Sequence, residues 1–203
     1  MTRALDFPAT RRNRDPILRV LKEQLPPSGS LLEIAAGSGQ HAVAFAAHLP
    51  QWTWTPTDLD PLHVDSINAW RAQVGTNNCQ EARQLDVHGL PGELRDFDAV
   101  FCANMIHIAP WSAALSLLRG ASATLRRGGL LLLYGPFIQP GVETAPSNVA
   151  FDADLRSRDP SWGVRDLAVL EREAADVGFS LRSVVPMPAN NLTVVFQLEA
   201  SRA

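Results

Sequence analysis

Short apolar runs alternate with amphipathic segments along most of this chain. Leu31 to Ala35, Trp52 to Thr57, Phe97 to Cys102 and Leu130 to Tyr134 are predominantly apolar runs bounded by turn-forming residues, which predicts strands buried on both faces. A further short strand is expected over Gln80 to Leu85. Between these runs the period changes. Asp15-Pro16 supplies a cap and a first-turn proline, Ile17, Leu18 and Leu21 an apolar stripe, and Pro26-Pro27-Ser28-Gly29 a stop, so a helix is expected from about 15 to 25. Gln40 to Leu49 is the next helical segment. Asp60-Pro61 repeats the cap-and-proline signal and opens a helix to about Ala72. Pro110 to Leu125 predicts another, closed by Arg126-Arg127-Gly128-Gly129 with positive charge at its end, and Asp166 to Val177 one more, stopped by Gly178.

Leu181 to Met187 and Leu192 to Leu198 are joined by Pro188-Ala189-Asn190-Asn191, with no room for a helix, so the last strand must run antiparallel. The alternation predicts an α/β fold with a Rossmann-like, mostly parallel sheet. One domain over residues 1–203 is expected, with an N-terminal arm over 1–14. Residues 135–165 hold four prolines and weak periodicity, and a connection that long predicts a substrate-side loop.

The candidate chemistry gathers at the C-terminal ends of the predicted strands, where open parallel sheets bind ligands. Leu31-Leu32-Glu33-Ile34-Ala35-Ala36-Gly37-Ser38-Gly39-Gln40-His41 runs from strand through a Gly-x-Gly turn into a helix whose free N–H groups face the loop. Asp58 follows Gly39 by nineteen residues at the end of the next strand, positioned for two ribose hydroxyls. No Lys-Ser/Thr pair closes the loop, so it does not match a P-loop; the loop alone leaves NAD open.

Glu33 on an apolar strand needs a partner if buried, either a bound ligand or neighbouring backbone. Asn104 and His107 follow strand Phe97 to Cys102. His107 titrates near neutrality when unperturbed and is the candidate acid-base group, with hydrogen bonding to loop backbone as its structural alternative. Tyr134 and Phe137 flank Gly135-Pro136 and offer an aromatic wall with one hydroxyl. His41 is expected at the loop and His48 at a helix end. Arg14 sits in the arm. Arg156, Asp159, Trp162 and Arg165 sit in the long connection as substrate contacts or as an ionic cluster pinning a lid. Asn148, Asn190 and Asn191 are turn formers by chemistry.

Composition narrows the partners. Hydrophobic residues make up 46% and charged residues 19%, with a net charge of -3, which gives no general attraction to nucleic acid or anionic lipid. Gly129 to Tyr134 is too short to span a bilayer. Cys79 and Cys102 have no metal-ligand spacing, no metal site is expected, and both suit buried positions. Met1-Thr2-Arg3 opens without an export signal, so a reducing cytoplasm is expected. Oligomeric state is not readable from the sequence.

With these elements placed, the chain resembles a class I S-adenosylmethionine (SAM)-dependent methyltransferase, and more narrowly the group known as domain of unknown function 938, also called methyltransferase-like 26. The resemblance rests on Asn13-Arg14-Asp15-Pro16-Ile17, Cys102-Ala103-Asn104-Met105-Ile106-His107-Ile108, Tyr134-Gly135-Pro136-Phe137 and Pro188-Ala189-Asn190-Asn191-Leu192, in that order. It implies a seven-stranded sheet of order 3-2-1-4-5-7-6 with strand 7 antiparallel, and SAM as cofactor. Glu33-x-Ala35-x-Gly37-x-Gly39 corresponds to the acidic-glycine motif, with Ala35 in place of the first glycine. Its methyl group is tolerable if the backbone there keeps a negative φ.

The same resemblance implies ribose at Asp58 and its neighbour Leu59, and adenine at Asp86 and Val87. Glu33, Ala35, Gly37, Gly39, His41 and Asn104 complete the cofactor set. A small-molecule acceptor with a reacting oxygen or nitrogen would meet Arg14, His107, Tyr134, Phe137, Asn148, Trp162, Asn190 and Asn191, with His107 and Tyr134 handling its proton. The competing expectation is a non-catalytic methyltransferase-like domain that binds SAM or a protein partner.

Overall fold

The computed structural model describes residues 4–200, so Met1-Thr2-Arg3 lie outside the described residues. Five strands run parallel in one sheet. They are β1 (Gly29–Ile34), β2 (Trp52–Asp58), β3 (Arg83–Gln84), β4 (Phe97–Ala103) and β5 (Leu125–Gly135). Two short strands, β6 (Phe137–Ile138) and β7 (Arg165–Asp166), pair separately in parallel, and β8 (Phe179–Met187) and β9 (Asn191–Leu198) form the terminal hairpin. The seven-stranded sheet has the order β3-β2-β1-β4-β5-β9-β8, and β9 enters antiparallel to β5. This is the α/β order expected, with β8 and β9 as the sixth and seventh strands of the sheet.

Alternation along the central strands builds two cores. Leu31, Phe101, Leu132 and Val195 face one side, where Ile17, Leu21, Val43 and Phe45 cover them from α1 (Pro8–Gln24) and α2 (Gln40–His48). Leu32, Val100, Leu131 and Val194 face the other. There α4 (Trp111–Thr124) and α6 (Leu167–Asp176) bring Leu117, Leu118, Leu167 and Leu170. Ile67 of α3 (Pro61–Val74) packs with Ala36 and Ala82 in a small third cluster near the glycine loop. Asp60 caps α3 by accepting from Leu62 N–H at 2.8 Å, and Asp166 caps α6 through Ala168 and Val169.

Three local expectations are corrected. The first helix starts at Pro8, not near 15: Pro8 occupies its first turn, Asp15 lies inside it, and Pro16 is carried within the helix. An open arm over 1–14 therefore reduces to a few residues before α1, because the buried stripe of Ile17, Leu18, Val20 and Leu21 holds the whole helix on the sheet.

Arg126-Arg127-Gly128-Gly129 does not close α4, whose last turn carries no basic residue. These residues belong to β5, whose register against β4 shifts between Phe97 and Ala99, a bulge that absorbs the extra polar residues.

Residues 135–165 are not a structureless loop either. They contain β6 and the helix α5 (Pro146–Arg158), whose N-terminal proline suits the first turn while its weak apolar stripe hid it from the pattern.

Candidate functional site

A cavity of about 550 Å³ opens at the C-terminal ends of β1, β2 and β4. Its floor is the loop from Glu33 to Ser38. Asp58, Leu59, Asp60 and His63 line the β2 side, Asp86, Val87 and His88 the segment after β3, Asn104, Met105 and Ile108 the segment after β4, and Phe7, Thr10 and Asn13 of the N-terminal region the roof.

The glycine loop is held from two directions. Asp58 Oδ2 accepts the Gly37 N–H at 2.8 Å, while Asp58 Oδ1 accepts from Asp60 N–H at 3.0 Å and lies 3.1 Å from His63 Nδ1. Gly39 stands at φ 89 as the residue capping α2, and a Cβ there would sit 2.6 Å from Ile67 Cα. Gly39 is thus a packing glycine and does not line the cavity. Ala35 lines it, but at φ 54, so the expected negative φ is wrong. The loop imposes a left-handed residue at this position, and alanine bears the cost.

Glu33 is 2% exposed, and its Oε2 accepts the indole N–H of Trp54 at 2.6 Å. Burial pushes its carboxyl up to about 8, the Trp54 hydrogen bond opposing that shift and Asp58 adding to it. His41 is buried, stacks on Phe45 and lies 2.8 Å from Asn13 Oδ1; burial pushes it down to about 4. The walls carry four carboxylates, Glu33, Asp58, Asp60 and Asp86, and no Lys or Arg among the described residues. Asp86 also caps the turn after β3 by accepting from His88 N–H at 2.9 Å.

Of the predicted cofactor set, Glu33, Ala35, Gly37, His41, Asp58, Leu59, Asp86, Val87 and Asn104 all line this cavity. The predicted acceptor set divides. Phe137, Asn148, Asn190 and Asn191 line a second hollow of about 230 Å³ beside β6 and the β8–β9 turn, together with Glu143 and Met187. Asn148 Nδ2 donates to Asn190 O at 2.9 Å, so part of this wall is tied together internally.

His107 and Tyr134 line neither cavity. Tyr134 is buried on the α1 side of the sheet, where burial raises its hydroxyl pKa and Asn13 opposes the shift. His107 is fully buried, edge-on to Phe137 with centroids 5.0 Å apart, and neither ring nitrogen has a hydrogen-bond partner among the described residues. Burial and then the Arg165 charge push it down to about 3, so the ring is neutral at physiological pH. The expectation of an open, near-neutral base beside a substrate is therefore corrected.

Arg14 pairs with Asp15 at 2.8 Å on the surface, and Trp162 stacks under Arg158 with 5.2 Å from the guanidinium to the ring centre; neither lines a cavity. Arg156 pairs with Asp152, not Asp159, at 2.8 Å. Arg165 instead ties the connection to the turn after β4 by donating to the carbonyls of Ile106 and Ala109 at 2.8 and 2.7 Å. His48 bonds its own helix through Ala44 O at 2.8 Å. Both cysteines are buried and pushed up to about 12, which leaves them inert thiols. Several residues of the cavity wall escaped the sequence reading, among them Thr10, Asn13 and His63, which are brought in by helix positions whose chemistry is not distinctive. No group of metal-ligating side chains occurs among the described residues.

The family model described as "Protein of unknown function (DUF938)" matches residues 6–198. The chain belongs to the DUF938 family. Among solved structures, this DUF938 chain is similar to CalO1, a methyltransferase in calicheamicin biosynthesis solved in an SAH-bound form, with TM-score 0.78, 14% identity, 95% of this chain and 54% of that one covered. It is similar to a putative O-methyltransferase from Nostoc punctiforme, with TM-score 0.80, 18% identity and coverage of 93% and 56%. An O-methyltransferase family 2 protein from Planctomyces limnophilus in complex with apigenin gives TM-score 0.77, 17% identity and coverage of 93% and 59%. At these identities the likeness is one of fold, and the DUF938 chain spans little more than half the length of the structures it matches.

Proposed function

We propose that this chain is a SAM-dependent methyltransferase acting on an oxygen or nitrogen of a small molecule. The observation that carries the reading is the cavity at the ends of β1, β2 and β4, walled by four acidic side chains, of which buried Glu33 holds its proton, and by no Lys or Arg among the described residues. A volume of about 550 Å³ suits a nucleoside-sized ligand. The charge suits one that bears a sulfonium and an ammonium and opposes a dinucleotide pyrophosphate, which supports SAM over the loop's NAD alternative.

In this reading Asp58, beside Leu59, takes the ribose, Asp86 and Val87 flank the adenine, and Glu33, His41 and Asn104 surround the methionine end, with Ala35 and Gly37 as the loop beneath. When bound, SAM supplies an electrophilic methyl group. The chain's own contribution is to hold the acceptor in line with that methyl and keep water away, a positional effect that supplies much of a barrier reduction of this kind. The hollow lined by Phe137, Asn148, Asn190 and Asn191 is the acceptor side. The apigenin complex of a protein with this fold supports a small-molecule acceptor, and the four strings that resemble the methyltransferase-like 26 group support the narrower kinship. The composition continues to favour a protein of the cytoplasm, and no described helix is long and apolar enough to cross a membrane.

A second reading is a SAM-binding domain without catalysis. The burial of His107 and Tyr134 behind the cavity walls favours it, since neither residue lines a cavity although Tyr134 reaches Asn13 of the larger one and His107 packs on Phe137 of the smaller. Calorimetry with SAM and S-adenosylhomocysteine on the wild type and Asp58→Ala tests the cofactor site. Binding that falls about 10- to 100-fold in the variant supports it, as expected for loss of charge-assisted hydrogen bonds; a folded wild type that binds neither ligand overturns it. Methyl transfer to a screened acceptor then separates enzyme from binding domain.

A further inference from the structure

Glu33 and Trp54 lie on neighbouring strands of one face. Glu33 is opposite Pro56 and Leu31 is opposite Trp54, so the carboxyl and the indole are diagonal neighbours one pleat apart. Trp54 is fully buried, wedged against Phe45 and Phe101, and its position is fixed further by backbone bonds to Asn78 and Gln80. Its N–H is the single hydrogen-bond donor to the Glu33 side chain among the described residues. Glu33 nevertheless forms part of the cavity wall. A buried carboxyl with one neutral donor and no cation is a poor place for a negative charge.

We propose that Trp54 is a positioning residue of the cofactor site: it holds Glu33 at the cavity wall so that binding of the SAM ammonium exchanges for the carboxyl proton, which leaves to solvent. The inference rests on the cofactor reading above. The exchange balances: the Glu33 O–H bond breaks, its proton passes to a buffer base, and an ammonium N–H donates to the carboxylate left behind. Every titratable group around Glu33 leaves this intact. Asp58 and Asp60 beside β2 and Asp86 after β3 are acids, and Cys79 and Cys102 are inert thiols. His41 on α2 is buried and neutral, and His63 and His88 line the far walls. An arriving cation meets no Lys or Arg on these walls among the described residues.

Trp54 acts on the ease of this exchange. Its N–H stabilises the carboxylate, so removing it makes the proton harder to expel. Below about 8 both proteins must expel the proton, so the defect is uniform in pH there, but it largely vanishes in a Glu33→Gln background, whereas loss of packing alone persists in that background.

The test is calorimetry of SAM binding at pH 6.5 in two buffers of different ionisation heat, a pH at which the SAM α-ammonium stays protonated. Wild type is expected to release close to one proton per SAM bound and to tighten about tenfold per pH unit between pH 6 and 7.5. Glu33→Gln is expected to release none and to show a flat profile. Trp54→Phe is expected to bind more weakly than wild type at pH 6.5 and to cost little further affinity when added to Glu33→Gln. A readout without a core variant is the Trp54 indole N–H resonance of the free wild type, which should titrate near 8 and be silent in Glu33→Gln. SAM binding without proton release overturns the exchange and leaves the cofactor site standing. An indole resonance that ignores pH, or a Trp54→Phe loss as large in Glu33→Gln as in wild type, overturns the role of Trp54. A folded wild type that binds no SAM overturns the cofactor reading and this inference with it.

Discussion

Gly135 and His107 share one space: a Cβ on Gly135 would lie 2.4 Å from His107 Nε2 and 2.7 Å from its Cδ2. The glycine at the end of β5 is what allows the imidazole to stay buried beside Phe137. Gly135→Ala is expected to push the ring out and destabilise the fold by about 1–3 kcal/mol, the range for overpacking. Thermal unfolding checks this. The double variant Gly135→Ala, His107→Ala should recover part of the loss relative to the sum of the singles, because the two substitutions compete for the same volume. Additive losses would contradict the account.

This contact also marks where the sequence stopped being informative. The sheet was legible because its strands are buried on both faces and its terminal hairpin has a turn of fixed length, so Leu31, Val100 and Leu131 announce their elements directly. Asp58 and Asp86 were legible as cavity-wall residues because each follows a predicted strand, although there Asp58 also holds the glycine loop and Asp86 caps the turn after β3. His107 carried the same sort of signal, a titratable group just past a strand, yet it is buried because Gly163 and Arg165, far along the chain, fold over its turn: Gly163 N–H bonds the His107 carbonyl at 3.0 Å. Pairings across such sequence distances leave no local pattern. Helix α5 was missed for lack of an apolar stripe, and Trp54 because an indole among core aromatics gives no sign that its N–H is committed to Glu33.

The glycine loop makes opposite predictions at two positions. Gly39→Ala is expected to cost about 2–4 kcal/mol, since φ is 89 and a Cβ would stand 2.6 Å from Ile67 Cα, combining left-handed strain with backbone overlap. Ala35→Gly relieves a left-handed alanine at φ 54, and after the greater chain entropy of unfolded glycine is subtracted it should fall within about 1 kcal/mol of wild type. Denaturant titration of the two variants should therefore separate them by more than the error of extrapolation. Equal destabilisation would mean that the loop tolerates neither change for some other reason.

Stability of the cofactor-free protein should peak near pH 6.5. Above that value Glu33 dominates: its carboxyl stays protonated in the fold up to about 8 but ionises at 4.5 when unfolded, so the fold binds the extra proton and stability falls as pH rises toward 8. Below 6.5 His41 and His107 dominate. They protonate freely when unfolded but only near 4 and 3 in the fold, so their stabilising contribution is lost as pH falls from 6.5 toward those values. Each group contributes at most about 1.4 kcal/mol per pH unit. Chemical denaturation across pH 5 to 8.5 checks both limbs, and Glu33→Gln should remove the alkaline limb and steepen the acid one, because Glu33 opposes the histidines down to about 4.5.

Arg165 decides whether the turn after β4 stays closed over His107. Its guanidinium donates to the carbonyls of Ile106, Ala109 and Ser161 at 2.8, 2.7 and 3.0 Å and lies 5.5 Å from the centre of the Trp111 ring. A lysine cannot reproduce that fork. Arg165→Lys is expected to lose about 1–3 kcal/mol, the scale of hydrogen bonds from a charged donor in a half-buried site. Hydrogen exchange should quicken at the Gly163 amide, whose bond to His107 O depends on the same docking. Lysine keeps the charge, so His107 should stay well below its ordinary pKa; Arg165→Met removes both charge and fork, and His107 should then move up from about 3 while burial still holds it under 6.5. An imidazole titrating normally in Arg165→Met would show that Arg165 alone had kept the ring out of solvent, and would make the opening of this turn the route by which His107 reaches an acceptor.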